Sequence, residues 1–416
     1  MSQRRILFAS LGSLGDLHPV MGMAVELKRR GHSVRIASTP FYRERIEALG
    51  IEFRPVRPDW DPTDRTLIAQ CEDIRRGTEI LLRQMVFPHL RDTYNDVMVA
   101  ARGMDLMIAG ELVYAAPIAA EKLGLRWASV NLSPCTLFSV HDPPVVPNLP
   151  ELQYLRNAGP LVHRVLMRMG CAAIDHWWRP IRQLRKEEGL GPGVNPLFHD
   201  KFSPELVLAL FSRHLAKPQP DWPSSTVQPG FVFYDQLAAP KPLPEALERF
   251  LDEGPPPVVF TQGSTAVHHP GSFYEASVAA ARRIGKRAFL LGVEDGRESY
   301  GADVFAAPYA PYSQVFPRAA AIVHQGGAGT TGAAMRSGKP MLIVPFGWDQ
   351  LDHAARITRM QAGLTLERKR YTAERAARVL ERLIEEEDFR QRSAAIGEAM
   401  QAEDGVGSAC DAIERL

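Results

Sequence analysis

Short apolar runs alternate along the chain with longer stretches of helical periodicity, and a glycine or proline sits at most of the changeovers. The first fifty residues set the pattern: ILFAS (6–10), a glycine turn, a helical stretch from about Pro19 to Arg30 stopped by Gly31, then SVRIAS (33–38). This spacing predicts a β–α–β unit. DLMIAG (105–110), WASVNLS (127–133) and LVLALF (206–211) predict further buried strands, with helical stretches between them as a parallel sheet requires. KPQPDWPSS and AAPKPLP, between about 216 and 244, break both periodicities and predict a semi-rigid linker. Alternation then resumes with PVVFTQG (257–263), KRAFLLG (286–292), DVFAAP (303–308), AAIVHQGG (320–327) and PMLIVP (340–345), separated by helical stretches such as 273–284 and 349–360. The expected fold class is α/β, with two Rossmann-like, doubly wound parallel-sheet domains facing a cleft between them. The expected division is an N-terminal domain at 1–216, a linker at 217–244, a C-terminal domain at 245–387, and a helical tail at 388–416 packing back on the first domain.

Composition narrows this picture little. The chain has 416 residues, long enough for two cores, and its formal net charge of +1 gives no electrostatic reason to expect nucleic acid. Cys71, Cys135, Cys171 and Cys410 are far apart and form no zinc or disulfide spacing, which fits a reducing cytoplasm. The apolar run after MSQRR is too short for an export signal or a membrane span. From 155 to 186, six arginines interleave with apolar residues and with Trp177 and Trp178. Amphipathic helices covering a pocket are the favoured reading; a helix lying peripherally on the inner membrane face is the other.

Chemistry concentrates in three turns. HQGGAGTTG (324–332) follows a buried strand and opens a helix, so glycines Gly326, Gly327 and Gly329 admit a close ligand while the helix N-terminus favours an anion such as a diphosphate. It lacks the GK[ST] ending of a Walker loop. PFGWDQ (345–350) follows the next strand, where Asp349 and Gln350 suit adjacent sugar hydroxyls; an N-cap role is the alternative for Asp349. GSLGDLHP (12–19) follows the first strand and offers Asp16 and His18 as candidate bases, against an N-cap role for Asp16 and a structural one for His18. The DWD at 59–61 spells a metal-binding DxD, but its proline-flanked position favours a solvated turn, so no metal is expected.

HxGGxGTT followed by a DQ pair resembles the donor signature of family 1 glycosyltransferases, which include macrolide and sterol enzymes, over most of the chain. The resemblance implies the two-domain GT-B fold and a nucleotide-sugar donor as co-substrate. It implies that His324, Gly327, Gly329 and Thr330 hold the diphosphate, Asp349 and Gln350 the sugar, Tyr309 of YAPYSQ the base, and Ser264 of TQGS a phosphate oxygen. Where plant members carry a ribose-binding glutamate, this chain has Gly332, Ala333 and Ala334, which leaves UDP and dTDP sugars both open. GDLHP places Asp16 where plant members have their base histidine, with His18 in reserve, and Glu111 near the acid that steadies that histidine.

The acceptor pocket is expected from Glu111, from Phe138 and His141 in SPCTLFSVHDPPVVP, from Trp177, and from Trp348 in PFGWDQ. Its apolar character implies a lipophilic acceptor. The loops TQGST and DPPVVP are similar to those of the rhamnosyltransferases of rhamnolipid synthesis, which implies dTDP-rhamnose and a hydroxy fatty acid. The loops also resemble relatives that glucosylate polyketides, flavonoids or sterols. The expected reaction is metal-free and inverting. A nucleotide-sugar 2-epimerase and a non-catalytic sugar-nucleotide-binding subunit are the alternatives.

Overall fold

The computed structural model describes residues 3–416 except 62–63, 65, 67–69, 72, 235–241, 264–271 and 294–299. The chain forms two compact units, one from residues 1–64, 75–234 and 404–416, the other from 65–74 and 235–403.

The first unit is a seven-stranded parallel sheet of β1 (Arg5–Ala9), β2 (Ser33–Ser38), β3 (Glu52–Pro55), β4 (Leu106–Ala109), β5 (Arg126–Asn131), β6 (Val207–Ala209) and β7 (Thr226–Val227), in the order β3-β2-β1-β4-β5-β6-β7. Alternation along β1 sends Ile6 and Phe8 into one core and Leu7 and Ala9 into another, so both faces are buried and the strand reads as one apolar run. Helix α1 (Leu14–Arg29) packs Leu17, Val20, Met21 and Ala24 against the first face. Helix α2 (Ala115–Leu123) packs Ala116, Ile118 and Ala119 against the second, together with the fully buried Trp178. Helix α3 (Pro160–Ile174) departs from the expected pocket cover: it buries only His163, while Leu161, Val165 and Met169 are 74%, 56% and 64% exposed.

The second unit is a six-stranded parallel sheet of β8 (Val258–Thr261), β9 (Ala288–Leu291), β10 (Val304–Ala307), β11 (Ala321–His324), β12 (Met341–Ile343) and β13 (Gly363–Thr365), ordered β10-β9-β8-β11-β12-β13. Its helices include α4 (Ala328–Arg336), α5 (Gln350–Arg359) and α6 (Glu387–Gln401).

Three sequence expectations change. The helix expected from Pro19 starts at Leu14, because Ser13 and Asp16 form a reciprocal capping box that opens the helix one turn and more before the proline. The proline-rich stretch expected as linker carries β7 at the sheet edge, where a strand tolerates flanking prolines. The tail expected as one helix is two, α6 and α7 (Gly405–Arg415), separated at Asp404, whose side chain accepts from Gly407 N at 2.8 Å and caps the second. Only α7 belongs to the first unit, with Ala409, Cys410 and Ile413 in the core beside α1; α6 stays in the second.

No helix among the described residues is long and apolar enough to cross a membrane.

Candidate functional site

In an open parallel sheet, ligands gather at the carboxyl ends of the strands where the winding direction reverses. The first sheet reverses between β1 and β4, and the second between β8 and β11. The turns 12–19 and 324–332 lie at these two points, and 345–350 follows β12, the neighbour of β11.

At the second sheet, β8 leads into Gln262 and Gly263, and β11 into Gln325, Gly326 and Gly327. Gly263 has φ +69°, and a Cβ there would lie 1.9 Å from Gln325 Nε2, so the two turns approach closely at this glycine. Gly326 has φ +97°, and a Cβ there would lie 2.8 Å from Ile343 Cγ2 and 3.2 Å from Gln350 O. Two imidazoles hold its backbone. The N–H of Gly326 donates to His324 Nδ1 at 3.0 Å, and its carbonyl accepts from His353 Nδ1 at 2.7 Å. Gly327 then stands as N-cap of α4 with no side chain to offer, Gly329 in the first turn is exposed, and Thr330 and Thr331 are buried behind it. The helix therefore presents uncapped N–H groups and its positive dipole end.

Around this helix start, the side-chain oxygens of Gln262, Gln325 and Thr331 are buried and have no hydrogen-bond partner among the described residues. Buried polar groups are nearly always paired, and each orphan costs about 1–3 kcal/mol. Of the three, the Thr331 hydroxyl can donate to an anion, whereas the two glutamine oxygens can only accept.

His324, expected at the diphosphate, faces inward in the structure. Its ring is fully buried at the end of β11, with Nε2 3.5 Å from Met341 Sδ, and burial together with His353 pushes its pKa down to about 3. The neutral imidazole organises the loop from within. Gln325, the next residue, projects beside Gly263 and Gly327 instead. Gln350 is also turned inward: its Oε1 accepts from Phe346 N at 2.8 Å, which fixes the PFGW turn. Asp349 is half-buried at the N-cap of α5 and makes no side-chain cap bond there. Trp348 holds φ +52°, and its buried indole N–H has no partner among the described residues. Tyr309 follows β10 and is 71% exposed. Ser264 lies outside the described residues.

At the first sheet, the turns after β1 and β4 run side by side, with Gly110 N donating to Ala9 O at 2.9 Å. Asp16 folds back over Gly12, where a Cβ would meet Asp16 Oδ2 at 2.4 Å, and this oxygen accepts from Ser13 N at 2.8 Å and Ser13 Oγ at 3.1 Å. Asp16 is thus an N3 capping partner and half-buried at the sheet end at once. Burial, with Asp16 nearby, raises the pKa of Tyr42, whose hydroxyl donates to Gly12 O at 3.2 Å. His18, two residues on, lies on another helix face and stacks on Tyr234 at 5.2 Å, so it is not brought together with Asp16.

Glu111 stands after β4. Its Oε1 accepts from Leu132 N at 3.0 Å, Thr136 Oγ1 at 2.9 Å and Asn131 Nδ2 at 3.3 Å. Its Oε2 is 4.0 Å from the Nζ of Lys201, a buried residue that sequence reasoning missed. Phe138 belongs to the same cluster, with its ring 5.3 Å from Lys201 Nζ. His141 is exposed on a loop, and Trp177 packs on the core that holds Trp178, so neither joins these residues. Asp59 and Asp61 are exposed.

Residues 6–141 match the glycosyltransferase family 28 N-terminal domain, and residues 296–410 the erythromycin biosynthesis protein CIII-like C-terminal domain. The chain is 32% identical over 422 residues to O-mycaminosyltylonolide 6-deoxyallosyltransferase of Streptomyces fradiae, covering 99% of this chain and 97% of that one. It is 29% identical to the vancomycin aglycone glucosyltransferase of Amycolatopsis orientalis, over 86% and 85% of the two chains. Among solved structures, the glycosyltransferase VinC in complex with dTDP shares the fold at TM-score 0.67 and 23% identity, over 99% and 98% of the chains.

Proposed function

The chain belongs to the family 1 glycosyltransferases of GT-B fold, and on that premise we propose that it moves a hexose from a nucleoside diphosphate sugar to a hydroxyl of a lipophilic small molecule, with inversion and without a metal. The observation that carries this reading is the uncapped start of α4, reached through the glycine turn at 326–327 and backed by the buried hydroxyls of Thr330 and Thr331, at the reversal point of the second sheet. A diphosphate would accept from the first N–H groups of α4, from the hydroxyls of Thr330 and Thr331, and from the amides of Gln262 and Gln325. Asp349 and the indole N–H of Trp348 would hold the sugar hydroxyls. Tyr309 is open for stacking on a nucleobase. The dTDP held by VinC supports a dTDP sugar; UDP-glucose is the other donor to test.

The chemistry then needs a base and charge stabilisation. Asp16 takes the acceptor proton as the oxygen attacks the anomeric carbon, and its place in the capping box holds the carboxylate in one orientation. As the glycosidic bond to the leaving diphosphate breaks, negative charge gathers on the phosphate oxygens. The amides and dipole of α4 face it without rearrangement. His324 stays neutral and takes no part in proton transfer; it keeps the Gly326 N–H engaged so that the following amides point outward.

Calorimetric titration with UDP, dTDP, UDP-glucose and dTDP-rhamnose in EDTA tests the reading. Micromolar binding of one nucleotide is expected. Binding to none, or only after Mg²⁺ is restored, would overturn it.

A further inference from the structure

A small pocket opens between the N-terminal end of α2 and the carboxyl ends of β4 and β5. Its lining is about evenly polar and apolar, with Val113, Pro117 and Val130 on the apolar side. Among the polar side chains that line it are Glu111 after β4, Asn131 at the end of β5, and Lys201 from an irregular segment far along the sequence.

Lys201 is only 9% exposed, and its ammonium donates no hydrogen bond among the described residues. Its neighbours are the rings of Phe138 and Phe202, at 5.3 and 4.9 Å, and Glu111 Oε2 at 4.0 Å. That last separation is too long for a hydrogen bond and close to what one intervening oxygen would span. Asn131 is 1% exposed and spends its amide N–H groups on Glu111 and Thr136, leaving its buried Oδ1 without a partner among the described residues. Donor and acceptor capacity thus go unused in one pocket, at opposite polarity. Burial lowers the pKa of Lys201, and Glu111 pulls it back up, consistent with the two sharing this space.

We propose that this pocket seats one uncharged hydroxyl of the acceptor, its oxygen accepting from Lys201 Nζ and its proton going to Asn131 Oδ1 or Glu111 Oε2. This rests on reading the first unit as the acceptor-binding half, and it narrows the acceptor to a molecule with a second, non-reacting hydroxyl. A carboxylate would satisfy Lys201 but set its own oxygens against Glu111 and Asn131, both acceptors. A ketone would leave the two acceptors unanswered. A hydroxyl accepts from Lys201 and gives its one proton to either acceptor, so it answers both polarities of the pocket where a carboxylate or a ketone answers only one.

Crystals of the full chain soaked separately in isopropanol, acetone and acetate test this. The isopropanol oxygen is expected within about 3 Å of Lys201 Nζ and of one acceptor oxygen, with neither acetone nor acetate in its place. In solution, saturation-transfer NMR should show the isopropanol dissociation constant rising about tenfold or more in Lys201→Met, as loss of a charged donor implies. Acetate or acetone in the pocket, or water alone in all three soaks, overturns the proposal. A dTDP titration of the wild-type protein separates the two readings. If dTDP fails to bind while isopropanol is seated, the donor reading falls and this pocket stands; the reverse result removes only the pocket.

Discussion

The two sheets reverse direction in the same way and end in opposite chemistry. At the first, the turns after β1 and β4 deliver carboxylates, Asp16 and Glu111, each held by backbone N–H and hydroxyl donors. At the second, the turns after β8 and β11 deliver neutral amides, glycines and a bare helix N-terminus, with buried oxygens unpaired. On the proposed reading, one fold would supply a proton acceptor from one copy and an anion cradle from the other.

The sharpest way to break the contrast is Asp16→Asn. Turnover should fall by about 10²–10⁴, as loss of a general base does, while nucleotide affinity holds; near-normal turnover would take the base away from the first sheet. Next in size is Gly326→Ala. It combines a left-handed backbone with a Cβ 2.8 Å from Ile343, so dTDP binding by calorimetry should fall by about 100-fold with a cost of roughly 1–3 kcal/mol in stability. Unchanged binding would show that the loop does not need its present path.

Gln325→Ala should weaken dTDP about tenfold and leave the melting temperature near wild type, while His324→Gln should do the opposite. Should His324→Gln prove the one that abolishes binding at intact stability, the inward placement of the ring would be wrong for the working enzyme. The smallest effect is a pH slope. Unfolded, His324 takes a proton below its ordinary 6.5; folded, it stays neutral down to about 3. The unfolded state therefore binds more protons in that window, and stability is full above 6.5 and falls as pH drops through it. This group contributes at most about 1.4 kcal/mol per pH unit. Thermal unfolding at pH 5 and 7 should show His324→Gln losing less on acidification than wild type.

Much of this was legible in the sequence, because buried parallel strands read as apolar runs and glycines mark the turns between them. The fold class and the motif turns followed from that. The inward position of His324 has a definite cause. A motif specifies residue order, whereas strand alternation specifies which way each side chain points, and consecutive residues at the end of β11 face opposite ways. The early start of α1 was readable as Ser13-x-x-Asp16, but Pro19 offered a competing helix start. Lys201 carried no local signal. It lies in an irregular segment, and only the packing of three distant parts of the chain brings it beside Glu111.

The split of the tail at Asp404 bears on how the molecule is made. Helix α7 supplies Ala409, Cys410 and Ile413 to the core that α1 begins, yet the ribosome releases it only after the whole second unit. At about 5–20 residues per second, the nascent first unit waits on the order of ten seconds or more with that flank of α1 uncovered. During this interval it is an incomplete client for chaperones, while the second unit already has its own strands and helices in hand.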